Sequence, residues 1–179
     1  EYSKQEWLAK KAQLDLPFPN LPYLIDPQHD ARLSQTDAIM RHLARTRDAA
    51  LLGTTPAQQA AVDVMLGVVG DFRRSITRIA YNADFAALKP NHIATITAAP
   101  HGHLVQFNAY LAGHGGPYAC GDFLSIADFQ LYEMLDQQQI MEPGIYDEKF
   151  AAIKAYLATM KALPAIAAYH ADPATPTQI

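Results

Sequence analysis

A single cysteine, Cys120, stands in 179 residues, so no intramolecular disulfide framework staples this chain, and a reducing compartment suits it. No apolar run approaches the roughly 20 residues that a membrane-spanning helix needs, and nothing resembles a signal peptide. Charge of neither sign dominates. The 14 Lys and Arg against 18 Asp and Glu leave a net charge of −4, with a pI of about 5.9. That removes the basic field of a nucleic-acid or anionic-membrane binder. Charged residues make up 18% and hydrophobic residues 50%, the balance of a globular chain with a sizeable core rather than a disordered one. Internal repeats and low-complexity segments are absent as well. The length suits one domain or two small ones.

What is present begins with "EYSKQEW", which lacks an initiating methionine, so that a fragment of a longer chain is one reading of it. Residues 1–14 have helical composition, with Trp7 and Lys11 four apart and therefore on one face. An indole N–H and an ammonium there could both reach a carboxylate; packing of Trp7 at a helix–sheet seam beside a solvated lysine is the alternative. "DLPFPNLP" (15–22) stops the helix, because each proline restricts itself and the residue before it. "YLI" (23–25) is strand-sized, "DPQHDA" (26–31) is a turn, and Arg32-Leu33 could return as the second arm of a hairpin. A cis bond at Leu21-Pro22 would turn the Leu21 main chain outward, where an extended peptide could pair with it. A helix is expected from about Thr36 to Arg47. Its first N–H groups, with the Gln35 amide and Thr36 hydroxyl, form either an anion site or an ordinary cap.

At "GTTPAQQ" (53–59) the character changes to all-helical. Thr55 caps and Pro56 starts a helix of about 25 residues with Val62, Met65, Leu66, Val69, Phe72, Ile76 and Ile79 on one stripe. Asp63, Gly67, Gly70, Arg74 and Arg78 share another stripe, with Asp71 at its edge. Two glycines cost roughly 2 kcal/mol of helix propensity, which implies close approach by another backbone. That backbone is either a partner across a two-fold axis or a crossing helix of the same chain. Tyr81 at the end of that helix aims its hydroxyl into a cleft or bonds to backbone. Lys89-Pro90 is read as a stop, followed by helices over about 91–112 and 125–139, a last one over 147–161, and a short helical turn in "LPAIAAYH".

"SIADF" (125–129) carries a capping box in which Asp128 reaches back to Ser125, and the apolar residues after it cover nearly every face. Asp128 is thus architectural. The histidines of "HGH" (101–103), His114 and His170 show no helical i, i+4 pair, so no metal site is assigned. "GHGG" (113–116) lacks a serine elbow, and Cys120 lacks a neighbouring base or helix start, which makes it a buried or half-buried thiol rather than a nucleophile.

Trp7 and Lys11, "FPNLPYLID", the Gln35-Thr36-Asp37-Ala38-Ile39 turn, Asp71, the Tyr81-Asn82-x-Asp84-Phe85-x-x-x-Lys89-Pro90 pattern and "SIADF" together resemble cytosolic glutathione transferases, the mu class most of all, over residues 1 to about 170. The fold class implied is α/β followed by all-α. A partial thioredoxin-like glutathione-binding domain with two strands and two helices covers residues 1–47. A linker follows at 48–55, and an all-helical domain at 56–179.

The resemblance also implies a set of roles. Pro22 matches the cis-proline of the family, Leu21 pairs its main chain with the cysteinyl part of glutathione, and Asn20 lies alongside. Trp7 and Lys11 match the residues at the glycyl carboxylate; Gln35 and Thr36 match those at the γ-glutamyl end, with Thr36 in place of the usual serine. Asp71 matches an aspartate that reaches the γ-glutamyl amine from the partner subunit, and Tyr81 a tyrosine that assists on the electrophile side. The implied co-substrate is glutathione with no metal. The implied partners are small hydrophobic electrophiles and a second copy of the chain, with neither nucleic acid nor a membrane span. The implied setting is cytoplasmic detoxification.

The thiol-activating tyrosine of the family lies on a first strand roughly forty residues upstream of Glu1, so two of four thioredoxin-like strands remain, with an open apolar edge. Two functions stay open on these grounds. One is a transferase conjugating glutathione through a stabilised thiolate; the other is a non-catalytic structural or ligand-binding subunit of transferase type.

Overall fold

Pro17, Pro19 and Pro22 limit the first helix. In a computed structural model of the chain, which describes residues 3–175, helix α1 spans Lys4–Lys11, and the Ser3 hydroxyl at its start accepts the Glu6 N–H at 3.3 Å. Glu1 and Tyr2 of the expected helix lie outside the described residues. Strand β1 (Tyr23–Asp26) turns through one 3-10 turn (Pro27–His29) into β2 (Ala31–Ser34). The two pair antiparallel, from Tyr23 opposite Ser34 to Asp26 opposite Ala31. Asp30 closes that turn at φ 47°, a left-handed position that aspartate tolerates better than most residues. Helix α2 (Thr36–Arg47) follows directly, and a 3-10 turn at Ala49–Leu52 packs against it. Leu16, Asp26 and Ala44 are buried here, whereas Ile25 and Leu43 remain exposed.

The chain separates into two compact units, residues 1–52 and 53–179. The second unit opens with α3 (Pro56–Ala80). Thr55 Oγ1 accepts the Gln58 N–H and Gln58 Oε1 accepts the Thr55 N–H, both at 3.2 Å, a reciprocal cap that fixes the start of the helix. All seven apolar residues of the expected stripe are buried. On the opposite side nothing lies within 4 Å of a side chain built at Gly67, and only Arg74 does at Gly70. Among the described residues, therefore, no helix of the same chain crosses at these glycines.

The helix expected over 91–112 is two helices, α4 (Phe85–Thr97) and α5 (His103–Gly113). Pro90 lies inside α4 rather than ending it. It falls early in the helix, where the missing N–H forfeits one bond, and Asp84 has already started the turn by accepting from Ala87 and Leu88. The break comes later, at Ala98–Gly102. Pro100 disfavours α geometry at Ala99, and the Gly102 N–H closes back onto the Ala98 carbonyl at 2.6 Å. Gly102 has no room for a side chain, since a Cβ would stand 2.4 Å from the Ile96 carbonyl oxygen.

Helix α6 (Ile126–Met141) makes its most extensive packing against α3. Ile126, Ala127, Leu131, Tyr132 and Leu135 are buried on it, and so are Asp128, Gln130, Asp136 and Gln138. Asp128 is fully buried. Its carboxylate accepts the Ala119 N–H at 2.6 Å, the Ser125 N–H at 2.9 Å, the Ser125 hydroxyl at 2.8 Å and the Tyr156 hydroxyl at 3.3 Å. Burial raises its pKa from the ordinary value, and these donors offset part of the rise. The Tyr146 hydroxyl donates to the Leu135 carbonyl at 2.9 Å, so that another polar group in this core is satisfied. Helix α7 (Ala151–Lys161) starts four residues later than expected, and Pro164 opens a full helix α8 (Pro164–Ala171) where a single turn was expected. No helix among the described residues is long and apolar enough to cross a membrane.

Candidate functional site

In the first unit, three separate stretches meet at the open end of the hairpin. The Tyr23–Ser34 pair is the last rung of the ladder. Leu21 and Pro22 run into it from one strand, and Gln35 and Thr36 leave it from the other. The Trp7 ring stacks on Tyr23 at 6.4 Å between centroids and 15° between planes, and the Lys10 ammonium lies 5.9 Å from the same ring. The Ser34 hydroxyl donates to the Phe18 carbonyl at 2.5 Å, which ties the proline loop to β2. The Leu21–Pro22 peptide is cis. Trp7, Leu21 and Gln35 thus sit around one rung, from three positions widely separated in sequence.

This end is rich in polar groups left to solvent. Among the described residues, the Trp7 indole N–H, the Lys11 ammonium and the Leu21 main-chain N–H and C=O have no hydrogen-bond or ion-pair partner. Gln35 is the N-cap of α2 but makes no side-chain cap bond. It also holds φ 76°, ψ 119°, a left-handed setting that costs a non-glycine residue about 1–2 kcal/mol. Strain of this kind in a native chain directs attention to function. The first turn of α2, with the positive end of the helix dipole, adjoins it. Such an arrangement can receive an extended peptide along the Leu21 main chain and anions beside the α2 start and Lys11.

Asp71 and Tyr81 belong to the second unit. Both line an open groove of about 700 Å³ with Arg74, Ser75, Thr77, Arg78 and His103. Asp71 pairs with Arg74 one turn on. Tyr81 ends α3 with 87% of its surface exposed, so the backbone-bonded alternative does not hold and the phenol is available to a ligand. Burial lowers the His103 pKa, and Asp71 acts against the shift.

Comparison with known proteins bears on the whole arrangement. The profile of the family described as "Glutathione S-transferase, C-terminal domain" matches residues 70–173. Glutathione S-transferase Mu 3 of Macaca fuscata fuscata is 37% identical over 169 residues, 94% of this chain and 70% of that protein. The chain belongs to the glutathione S-transferase family. Glutathione S-transferase Mu 5 of Mus musculus is 36% identical over the same shares of the two chains. The solved Pi-class glutathione S-transferase of Onchocerca volvulus superposes with a TM-score of 0.79 at 32% identity, covering 94% of this chain and 77% of that one. The hairpin and helices of the first unit are accordingly part of a thioredoxin-like transferase domain, and α3–α8 form the helical domain that follows it in this family.

Sequence reasoning passed over one cluster in this transferase chain. Asp26 Oδ2 accepts from His29 Nδ1 at 2.8 Å and from His42 Nε2 at 2.9 Å. The Asp–x–x–His spacing in "DPQH" was a usable signal for the first pair, but the second joins a strand to a helix sixteen residues on. Hydrogen bonds from His42 and then His29 hold the Asp26 carboxyl at about 2. Three of the five histidines of the second unit are hydrogen-bonded to protein partners. His92 donates to Gln138 Oε1 at 3.0 Å, His170 meets the Tyr132 hydroxyl at 2.8 Å, and His114 bonds the Tyr118 carbonyl.

Cys120 is half-buried, and burial pushes its thiol up to about 11 from 9.0. At pH 8 the thiolate fraction, and with it alkylation by iodoacetamide, should fall about 100-fold below that of the urea-unfolded chain. The rate should climb about tenfold per pH unit up to pH 10. Equal rates in the folded and unfolded chains would show that burial does not raise the pKa of this thiol, and a faster folded chain that the thiol is activated.

Proposed function

We propose that this chain binds reduced glutathione at the open end of the hairpin and serves its conjugation to small apolar electrophiles. The observation that carries the reading is the convergence of the partnerless Trp7 and Leu21 groups with Gln35 around the Tyr23–Ser34 rung, with the Lys11 ammonium four residues on from Trp7 in α1. The Leu21 N–H and C=O pair with the cysteinyl residue as an added strand would, with Asn20 and Pro22 shaping that side. Trp7 and Lys11 take the glycyl carboxylate through an indole N–H and an ammonium. Gln35 and Thr36 take the γ-glutamyl carboxylate at the α2 start, where the dipole favours negative charge. Asp71 of the partner subunit meets the γ-glutamyl amine, and the exposed Tyr81 hydroxyl supports charge developing on the electrophile. Thiolate stabilisation falls to the tyrosine that the resemblance places upstream of Glu1. It is needed because a thiol of pKa near 8.5 is only a few per cent ionised at neutral pH. Detoxification in the cytoplasm follows from the same reading.

A homodimer belongs to this proposal. The Gly67 face is open, and beside it Val64, 68% exposed, enters an apolar groove with Ala60, Val68 and Tyr110. A second copy of the chain covering that face supplies the close backbone approach that the glycines permit.

The test is retention on immobilised glutathione followed by calorimetric titration, with sedimentation at micromolar concentration. Specific elution by free glutathione from a sedimenting dimer is expected, and a Trp7→Phe, Lys11→Met double variant should bind about 100-fold more weakly, two charge-assisted bonds having been lost. A folded chain that ignores glutathione removes the reading, and a lone monomer removes the dimer.

A further inference from the structure

We propose that Asp26, His29 and His42 form a binding site for one divalent transition-metal cation of the zinc type, which clasps the closed end of the hairpin to α2. Three different elements supply the donors: the last residue of β1, the end of the 3-10 turn and the middle of α2. Asp26 Oδ2, His29 Nδ1 and His42 Nε2 all lie within 4.8 Å of one another, and both imidazoles aim a ring nitrogen at the same oxygen. Two imidazoles and a carboxylate without thiolate suit zinc, nickel or copper and do not suit magnesium or calcium, which select oxygen ligands.

The geometry is close to what an ion needs. Metal–ligand bonds of about 2.0–2.1 Å in a tetrahedron hold neighbouring donors about 3.3 Å apart. The oxygen–nitrogen distances of 2.8 and 2.9 Å therefore have to open by about half an ångström, within the reach of small χ rotations. The side chains of Asp26 and His42 are 10% and 16% exposed, and that of His29 is 32% exposed. Two ligands are thus anchored, and the third borders water, which can supply the fourth ligand. Protons balance without a co-reactant. Where each ring N–H now donates to Oδ2, the ion takes that nitrogen's lone pair, and the proton shifts to the other ring nitrogen by exchange with water.

The site shares no residue with the glutathione end. It lies at the Asp26–Ala31 rung, three rungs from Tyr23–Ser34. Its effect is to fix the hairpin against α2, so it is read as metal stoichiometry and as stability of the first unit. Trp7, which stacks on β1, is the only tryptophan, and its fluorescence reports that unit.

The experiment titrates the chelator-stripped chain with zinc chloride by calorimetry and follows thermal unfolding by tryptophan fluorescence. One zinc per chain is expected, with a thermal midpoint raised by several degrees in its presence. His29→Gln and His42→Gln should each weaken zinc at least tenfold, and the double variant should lose it, while His101→Gln in the second unit leaves it unchanged. Circular dichroism confirms that each variant is folded. The proposal is overturned by the absence of saturable binding up to about 100 μM zinc, a hundredfold above a micromolar Kd. It is equally overturned by undiminished binding in the folded double variant; in either case the cluster is a hydrogen-bonded clasp and no more.

Discussion

Replacing Asp128 with alanine is expected to lower the stability of the helical unit by about 3–5 kcal/mol, because four donors lose their shared acceptor in a dry site at about 1–3 kcal/mol for each one left unpaired. The Ala119 N–H, Ser125 N–H, Ser125 hydroxyl and Tyr156 hydroxyl all converge on this carboxylate. It binds the loop before α6, the first turn of α6 and the side of α7 into one knot. Tyr156 retains a bond to the Asp128 main-chain carbonyl at 2.9 Å, which holds the loss below the full sum. Asp128→Asn keeps the shape and one acceptor oxygen, so its cost should fall well short of that of alanine. Urea unfolding followed by far-UV circular dichroism measures both. A loss under 1 kcal/mol for alanine would mean that the donors find water, and the knot would be an incidental feature of the fold.

The second large effect rests on the glutathione proposal and sets stability against affinity. Gln35→Gly removes the amide that faces the γ-glutamyl carboxylate, and affinity for glutathione should drop about 10–100-fold, the value of one hydrogen bond to a charged group. Glycine also relieves the backbone at φ 76°. The gain of about 1–2 kcal/mol from lost strain exceeds the 0.5–1 kcal/mol of extra unfolded-state entropy that glycine brings. The variant should therefore be as stable as the parent or up to about 1 kcal/mol more stable. Calorimetric titration and thermal unfolding of one preparation give both readings. If affinity and stability fell together, Gln35 would be holding the turn rather than the ligand.

Helix α2, expected over about Thr36 to Arg47, and helix α3, expected to start at Pro56 and run about 25 residues, could be read from the sequence. Each has its start written locally, α2 by the turn after the hairpin and α3 by Thr55, Pro56 and Gln58. The Trp7 and Lys11 face and the Leu21–Pro22 loop could be read for the same reason, since spacing and proline act over a few residues. The split between α4 and α5 could not. Pro90 is the louder signal, yet it costs α4 one ladder bond without ending the helix; the real break needs Pro100 and the tight passage at Gly102 together. The positive φ of Gln35 was equally hidden, because nothing in the residue type favours it. The Asp26, His29 and His42 cluster depends on the rotation of α2 against the hairpin, and a one-dimensional pattern does not carry that angle.

The partnership of α3 with α6 has a consequence for how the polypeptide is made. As α3 leaves the ribosome, Val62, Leu66, Val69 and Phe72 present an apolar flank whose main cover is still untranslated. Roughly 60 residues separate Ala80 from Met141, and at about 5–20 residues per second the wait is on the order of 3–12 s. Through that interval the nascent chain is a client for holdase chaperones, and slow codons placed after Ala80 would lengthen its exposure.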